Sequence, residues 1–391
     1  MKELKWSFLL GLFVFSCARA PIEERHQAMR FYAKTSLESL RADTPLDSLL
    51  KTLKRLETKP FGDTMVFGQC TVSTERYSGF LSALAANRDQ PLALYEVYGK
   101  ERWGEILLTS YFSPIYEARK SPEGEFTQPL YSLPKDLIEV NFEGFSHEDL
   151  LDQELSRGVV GGRIINGPGE LKRVIPYFSR YEIDVEEKLK NRGLELAYLR
   201  PVDAFVLQIQ GSGKIVFPRG EEVDLGYAGQ NGHRYFSIGK ALLDVIPKEE
   251  MSLAKIKAYL KTLNKEELYQ FLSKNPSYVF FKKMKNKKGL TTFGIEPQPM
   301  STVAIDYRLF PLGAAGLLDY LHPMIKEETT EFTPKKRIVF AHDTGGAIKG
   351  PGRADLFWGS GDEAELAAGA MRHSAELFFL APPECASTER E

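Results

Sequence analysis

Residues 337–361 read R-I-V-F-A-H-D-T-G-G-A-I-K-G-P-G-R-A-D-L-F-W-G-S-G, from Arg337 to Gly361. The apolar run Ile338 to Ala341 predicts a short buried strand. It stops on His342-Asp343-Thr344. Gly345, Gly346, Gly350 and Gly352 then let the backbone turn sharply and a polymer approach closely. Asp355 follows, against a second apolar patch, Leu356-Phe357-Trp358. Two carboxylates on either side of a glycine-rich turn, with an aromatic beside them, suggest a carbohydrate site. A tight turn whose aspartates bond their own backbone uses the same letters, so the rest of the chain must decide.

The chain has 391 residues, enough for two domains, and its 43% hydrophobic content is enough to bury a core. A net charge of −2 argues against an electrostatic nucleic-acid binder, and no nucleic acid is expected as a partner. The 25 Phe and 17 Tyr suit stacking on sugars, although core packing explains most of them.

The N-terminus carries an address. Lys2 and Lys5 precede an apolar run, Trp6 to Phe15, too short to span a bilayer, which reads as a signal peptide. Val14-Phe15-Ser16-Cys17 resembles a bacterial lipobox, with Phe15 where a small residue is usual. Residues 1–17 are therefore expected to be a lipoprotein signal and Cys17 the acylated residue. Ala18 after it favours the periplasmic face of an outer membrane, and an ordinary secretory signal is the alternative. In an exported chain Cys70 and Cys385 could pair or remain buried thiols.

Residues 18–43 read as a tether, with a loose helix between Ile22 and Leu40. Thr44 reads as a helix cap, with Pro45 at the first helical position and Leu46, Leu49, Leu50, Leu53 and Leu56 on one stripe. A second helix is expected over Arg76 to Ala86. Ile106 to Ser113 is a strand ended by Pro114 and carries Thr109 and Tyr111. From Leu137 short strands and turns take over, with a helical piece near Val185 to Arg192. Ala204 to Gln210 reads as a strand ending on Gly211-Ser212-Gly213. Tyr227 to His233 is a polar, glycine-punctuated loop. Ser252 starts one helix, Asn264 with Glu267 starts another as a capping pair, and Tyr278 to Phe281 is a strand. Many short strands and few long helices predict a β-rich, barrel-like fold. If the Thr109 strand and the Asp343 segment build one site, the middle of the chain is an insertion.

Several separated motifs together resemble membrane-bound lytic transglycosylases of the MltA type. Val303-Ala304-Ile305-Asp306, Asp343 to Gly350 and Arg353 to Gly359 resemble the three-aspartate (3D) domain. Upstream, Tyr111 to Pro114, Ser179 to Ile183, Gln208 to Gly213, Tyr227 to His233 and Asn275 to Phe281 fit the same family. The resemblance covers roughly residues 105 to 370, leaving out Leu317 to Lys335. It implies a mainly β fold: a double-psi β-barrel from residues 44–136 and 280–382, with a second β-rich domain, 137–279, inserted. The substrate, the glycan strands of peptidoglycan, would lie between them.

The resemblance also implies the reaction. The β-1,4 bond between N-acetylmuramic acid and N-acetylglucosamine is cleaved without water, leaving a 1,6-anhydro sugar. One carboxyl with a raised pKa must give and then take a proton, and Asp343 is the candidate. Asp306 and Asp355 are expected to support it or to hold the barrel turns. Thr109, Tyr111, Gln208, Gln210, Gly211, Ser212, Gly213, Tyr227 and Asn231 are the candidate substrate contacts. His342 and His233 lack a third ligand at suitable spacing, so no metal and no cofactor are expected. Three rivals remain. One is a two-carboxylate hydrolase. Another is an aspartic protease, which would need a second Asp-Thr-Gly that the chain lacks. The last is a non-catalytic glycan-binding lipoprotein.

Overall fold

A computed structural model of the chain describes residues 22, 24–99, 102–141, 159–169, 171–247, 250–284, 289–325, 330–346 and 348–387. Cys17 and the signal segment lie outside them. The first segment runs β1 (Met29–Ser36), α1 (Leu46–Thr58), the hairpin β2 (Thr64–Phe67) and β3 (Cys70–Ser73), α2 (Thr74–Ala86), β4 (Pro91–Val97) and β5 (Glu105–Ser113).

Two expectations fail here. The supposed tether contains β1, which pairs antiparallel with β4 from Met29↔Val97 to Ser36↔Pro91. Its solvent-side Arg30 and Lys34 hide the strand pattern, and backbone pairing decides the conformation. Thr44 does not cap α1. Pro45 occupies the cap position, and the Thr44 hydroxyl donates to the Ala42 carbonyl at 3.2 Å. Leu49, Leu53 and Leu56 enter the core, whereas Leu46 and Leu50 are exposed.

After Ser113 the chain leaves this sheet. It forms β6 (Ile115–Glu117), β7 (Gln128–Tyr131), β8 (Ile138–Asn141), β9 (Val159–Asn166), β10 (Lys172–Pro176), α3 (Arg180–Asp184), β11 (Glu195–Leu199), α4 (Pro201–Gln210), β12 (Gly213–Val216), β13 (Glu222–Gln230), α5 (Leu253–Leu260), α6 (Lys265–Leu272) and β14 (Val279–Lys283). These strands pair among themselves, in the orders β14-β13-β12-β6, β11-β7 and β10-β9-β8. Since β6 and β7 pair with β12 and β11, the departure falls near Pro114 rather than at residue 137.

Two local readings are corrected in this region. Ala204–Gln210 is helical, not a strand. Ala204, Phe205, Val206, Leu207 and Gln208 are all buried, so the run has no periodicity to separate the two conformations. Pro201 in the first turn and Gly211, at φ 77° in the left-handed region, bracket the helix. The helical piece expected near Val185 to Arg192 lies before it, as α3, which starts on the reciprocal capping box of Ser179 and Glu182 and ends at Asp184; turns follow. The helices at Ser252 and Asn264 start as their caps predict.

The chain returns through β15 (Thr302–Ala304), β16 (Ala315–Ile325), β17 (Thr330–Asp343), β18 (Arg353–Ser360), α7 (Asp362–Ala370) and β19 (Arg372–Ala381). The order β19-β16-β17-β15-β18-β5, with β5 pairing back to β19, closes a six-stranded barrel; β4 and β1 extend it from β19. The pairs β15–β17 and β18–β5 are parallel. The fold is mainly β, a closed barrel of the double-psi class interrupted by a second β-rich unit. One apolar cluster joins the two: Phe112, Ala364 and Ala368 of the barrel side pack with Ala204, Leu207, Ile215 and Phe281 of the insertion. Cys70 and Cys385 are bonded, which fastens the β2–β3 hairpin to the last turn, Pro383–Ser387.

Candidate active site

Strand register assembles the site. Ala304, in the short β15, opposes Asp343 of β17 on one side and Asp355 of β18 on the other. On the far side of β18, Asp355 pairs with Thr109 and Phe357 with Tyr111. Two pairs of residues more than 200 positions apart, Thr109 and Tyr111 with Asp343 and Asp355, thus meet on one end of the barrel.

Asp343 is half-buried and held by four donors. The Tyr111 hydroxyl donates to Oδ2 at 2.8 Å. The backbone N–H groups of Thr344 (2.9 Å) and Thr292 (3.1 Å) and the Thr292 hydroxyl (3.3 Å) all donate to Oδ1. Desolvation raises the carboxyl above its ordinary range, and these donors pull it back without cancelling the rise. Asp355 is also desolvated, and its carboxyl is pushed up to about 6. Thr109, donating to Oδ1 at 2.7 Å, and the positive charge of Arg353 oppose the rise, and the negative charge of Asp343 adds to it. Thr292 has no signal in the sequence. It lies in the stretch that returns from the insertion, where Phe293 N donates to the His342 carbonyl at 2.8 Å.

Asp306 does not face the site. It is 1% exposed, and both its oxygens are taken by the Arg308 guanidinium (2.9 and 2.6 Å), while Gly350 N donates to Oδ2 at 2.9 Å. Burial pushes its carboxyl up, but the guanidinium and backbone donors outweigh that and hold it below the usual range. Asp306 therefore pins the turn that follows Asp343, and Gly350, at φ 80°, supplies the left-handed backbone this turn needs.

His342 is a core residue. Its ring stacks between Phe293 and Phe340, with centroids 5.3 and 5.4 Å away. Thr52 and Thr302 hydroxyls flank its nitrogens at 2.8 and 3.1 Å. Thr52 already donates to Ser48 O, so it accepts from Nε2–H, and Thr302 donates to Nδ1. Burial holds the ring neutral, with its pKa lowered to about 3. His233 Nε2 contacts the Tyr177 carbonyl at 2.7 Å. Among the described residues no three His, Cys, Asp or Glu side chains converge as a metal site.

The other candidate contacts divide. Gln210 Oε1 accepts from Phe112 N at 3.1 Å, beside Tyr111. A side chain at Gly213 would meet the Pro114 carbonyl, and Ser212 lies against Gly289. The turn Gly211-Ser212-Gly213 therefore borders the strand end that carries Tyr111. Asn231 does not line a groove. It is fully buried, donates to the Phe178 and Pro276 carbonyls at 2.9 and 2.8 Å, and accepts from Tyr278 N at 2.8 Å. Gln208 is buried in α4. Arg180, also buried, donates to the Asn275 and Ser277 carbonyls. Asn231 and Arg180 thus brace the insertion's interior. Tyr227 is exposed on β13, opposite Phe281.

The arrangement offers one desolvated carboxyl with a hydroxyl on one oxygen and a second raised carboxyl two strands away. Such a pair can hold a proton near neutral pH and deliver it to an oxygen leaving group.

Comparison with known proteins gives a consistent picture. A profile described as "MltA specific insert domain" matches residues 107–282, and one described as "3D domain" matches residues 301–381. The chain is 30% identical, over 287 residues, to membrane-bound lytic murein transglycosylase A of Vibrio cholerae serotype O1, covering 72% of this chain and 67% of that protein. Among solved structures, a membrane-bound lytic murein transglycosylase from Agrobacterium tumefaciens superposes with a TM-score of 0.71 at 24% identity, covering 92% of this chain and all of that one. Escherichia coli MltA with bound chitohexaose superposes with a TM-score of 0.67 at 23% identity, covering 93% and 96%.

Proposed function

The chain belongs to the membrane-bound lytic murein transglycosylase A family, and from that premise we propose that Asp343 is the single acid/base of a non-hydrolytic cleavage of peptidoglycan. The observation that carries this reading is Asp343 itself: half-desolvated at the end of β17, raised in pKa, with Tyr111 on one oxygen.

The protonated carboxyl gives its proton to the glycosidic oxygen as the bond from the muramyl anomeric carbon breaks. The N-acetylglucosamine 4-hydroxyl leaves. The Asp343 carboxylate then takes the proton of the muramyl 6-hydroxyl as that oxygen attacks the same carbon. The 1,6-anhydro ring closes, and Asp343 ends protonated, ready for the next strand. Asp355, when ionised, stabilises the developing oxocarbenium charge, and Thr109 orients it. Gln210, Ser212 and the flanking glycines border the sugar path.

Asp343→Asn keeps the shape and most donors but cannot carry the proton. Turnover of purified murein is expected to fall by roughly 10²–10⁴-fold with an unchanged melting temperature. Full activity in this variant would remove Asp343 from the mechanism. Asp355, a second desolvated carboxyl, is the observation that favours the rival in which water attacks. A reducing sugar end on the product would select that rival.

Cys17 is proposed as the lipid attachment, placing the enzyme on the periplasmic face of the outer membrane. The Cys70–Cys385 bond supports export into an oxidising compartment. Cys17→Ala is expected to release the protein from the membrane fraction; a wild type already outside that fraction contradicts the anchor.

A further inference from the structure

The two oxygens of Asp343 are not equivalent, and part of the asymmetry comes from Thr292, a residue outside the family motifs. Oδ1 faces two backbone N–H groups, those of Thr292 and Thr344, and among the described residues Oδ2 is met by the Tyr111 hydroxyl alone. An N–H group can donate but never accept. A proton on Oδ1 would therefore stand against two fixed donors. On Oδ2 it meets a hydroxyl that can rotate from donor to acceptor or turn away toward a substrate oxygen.

The Thr292 hydroxyl strengthens this division. It lies 3.3 Å from Asp343 Oδ1 and 2.7 Å from the Thr344 hydroxyl. It has one hydrogen. If that hydrogen goes to Oδ1, the Thr344 hydroxyl donates to Thr292 in turn, and the three groups form a directed chain ending on the carboxylate. Thr292 is exposed, but its place is fixed by buried neighbours. Phe293 stacks on His342, Phe293 N donates to the His342 carbonyl, and Thr291 N donates to the Ile295 carbonyl at 2.9 Å. The position is thus held by the stretch that carries the chain back from the insertion into the barrel.

We propose that Thr292 is a positioning residue that, together with Thr344, fixes the mobile proton of Asp343 on Oδ2, so that Oδ2 alone exchanges protons with the sugar. This rests on Asp343 being the acid/base. The charged and titratable groups that bear on the carboxyl are Tyr111 of β5, and Asp355 with Arg353 beside it on β18. His342, on β17 itself, is sequestered between aromatic rings and uncharged across the working range. Asp306 is neutralised by Arg308.

The test is the pH dependence of kcat/KM on purified murein, whose basic limb reports the acid in the free enzyme. A donor to a carboxylate stabilises its charged form, so removing one raises the pKa. Thr292→Val is expected to move the basic limb up by roughly half to one pH unit and to lower the plateau several-fold. Thr292→Ser, which keeps the hydroxyl, is expected to restore both. Thr344→Val is expected to shift the limb upward by less. The double variant should go no further than Thr292→Val, because the Thr344 hydroxyl acts only through that of Thr292 while its backbone N–H stays in place. A limb unmoved in Thr292→Val, a Ser variant as impaired as Val, or additive shifts in the double variant would overturn the proposal. If Thr292→Val does not fold, an unmoved limb in Thr344→Val overturns it equally. A wild type that yields no anhydro ends defeats the reaction itself, a separate outcome from an unmoved limb in an enzyme that does yield them.

Discussion

The Tyr111 hydroxyl donates to Asp343 Oδ2 at 2.8 Å across 232 residues of sequence. The bond ties β5, the last strand before the chain leaves the barrel, to β17, formed after it returns. Neither half of the barrel can build the site without the other.

Tyr111→Phe isolates this bond. The ring still packs on Phe357, 5.1 Å away between centroids, so the melting temperature should change little. Removing a donor to the carboxylate raises the Asp343 pKa, and the basic limb of kcat/KM should move to higher pH. Turnover should fall by roughly tenfold, about 1.4 kcal/mol of transition-state stabilisation. An unmoved limb would mean that the hydroxyl does not tune Asp343.

Asp355 predicts a conflict between stability and activity. Its carboxyl rises from 3.8 to about 6 in the folded chain. A group with a raised folded pKa stabilises the fold fully below its unfolded pKa, and that contribution is lost as pH rises through the folded value. The loss between pH 4 and pH 7 is on the order of 3 kcal/mol, at about 1.4 kcal/mol per unit. Asp355→Asn mimics the neutral form. It should melt above wild type at pH 7.5, equal it near pH 4, and turn over murein more slowly. A variant that melts lower at pH 7.5 would show that the ionised carboxylate holds the fold.

The Cys70–Cys385 bond spans 315 residues of sequence. Cys70→Ser with Cys385→Ser should lower unfolding stability by about 2–5 kcal/mol while leaving the aspartates in place. Denaturant unfolding with and without reductant reads this directly. The reductant should shift the wild-type midpoint and leave the double variant unmoved. An unshifted wild type would contradict a structural role for the bond.

The end of the barrel that carries Asp343 and Asp355 was legible because its residues cluster in short motifs. The apolar run before Asp343, the glycines after it and the Thr109–Tyr111 strand each have a local signature. The mistaken elements lacked one. Ala204 to Gln208 are buried one after another, so neither a period of 2 nor one of 3.6 could surface. β1 carries charge on its open side and is defined by its partner β4. Asn231 looks like a sugar ligand in sequence because polar groups that brace backbone carbonyls and those that bind hydroxyls are the same residue types. Thr292 was invisible because its role depends on where Phe293 is anchored against His342.

The most direct test of the account is mass spectrometry of the products released from purified murein in water labelled with heavy oxygen. A single carboxyl that gives and takes one proton, with the muramyl 6-hydroxyl as nucleophile, predicts 1,6-anhydro ends and no label at the cleaved carbon. Label at that carbon, on a reducing end, would make water the nucleophile and contradict the role assigned to Asp343.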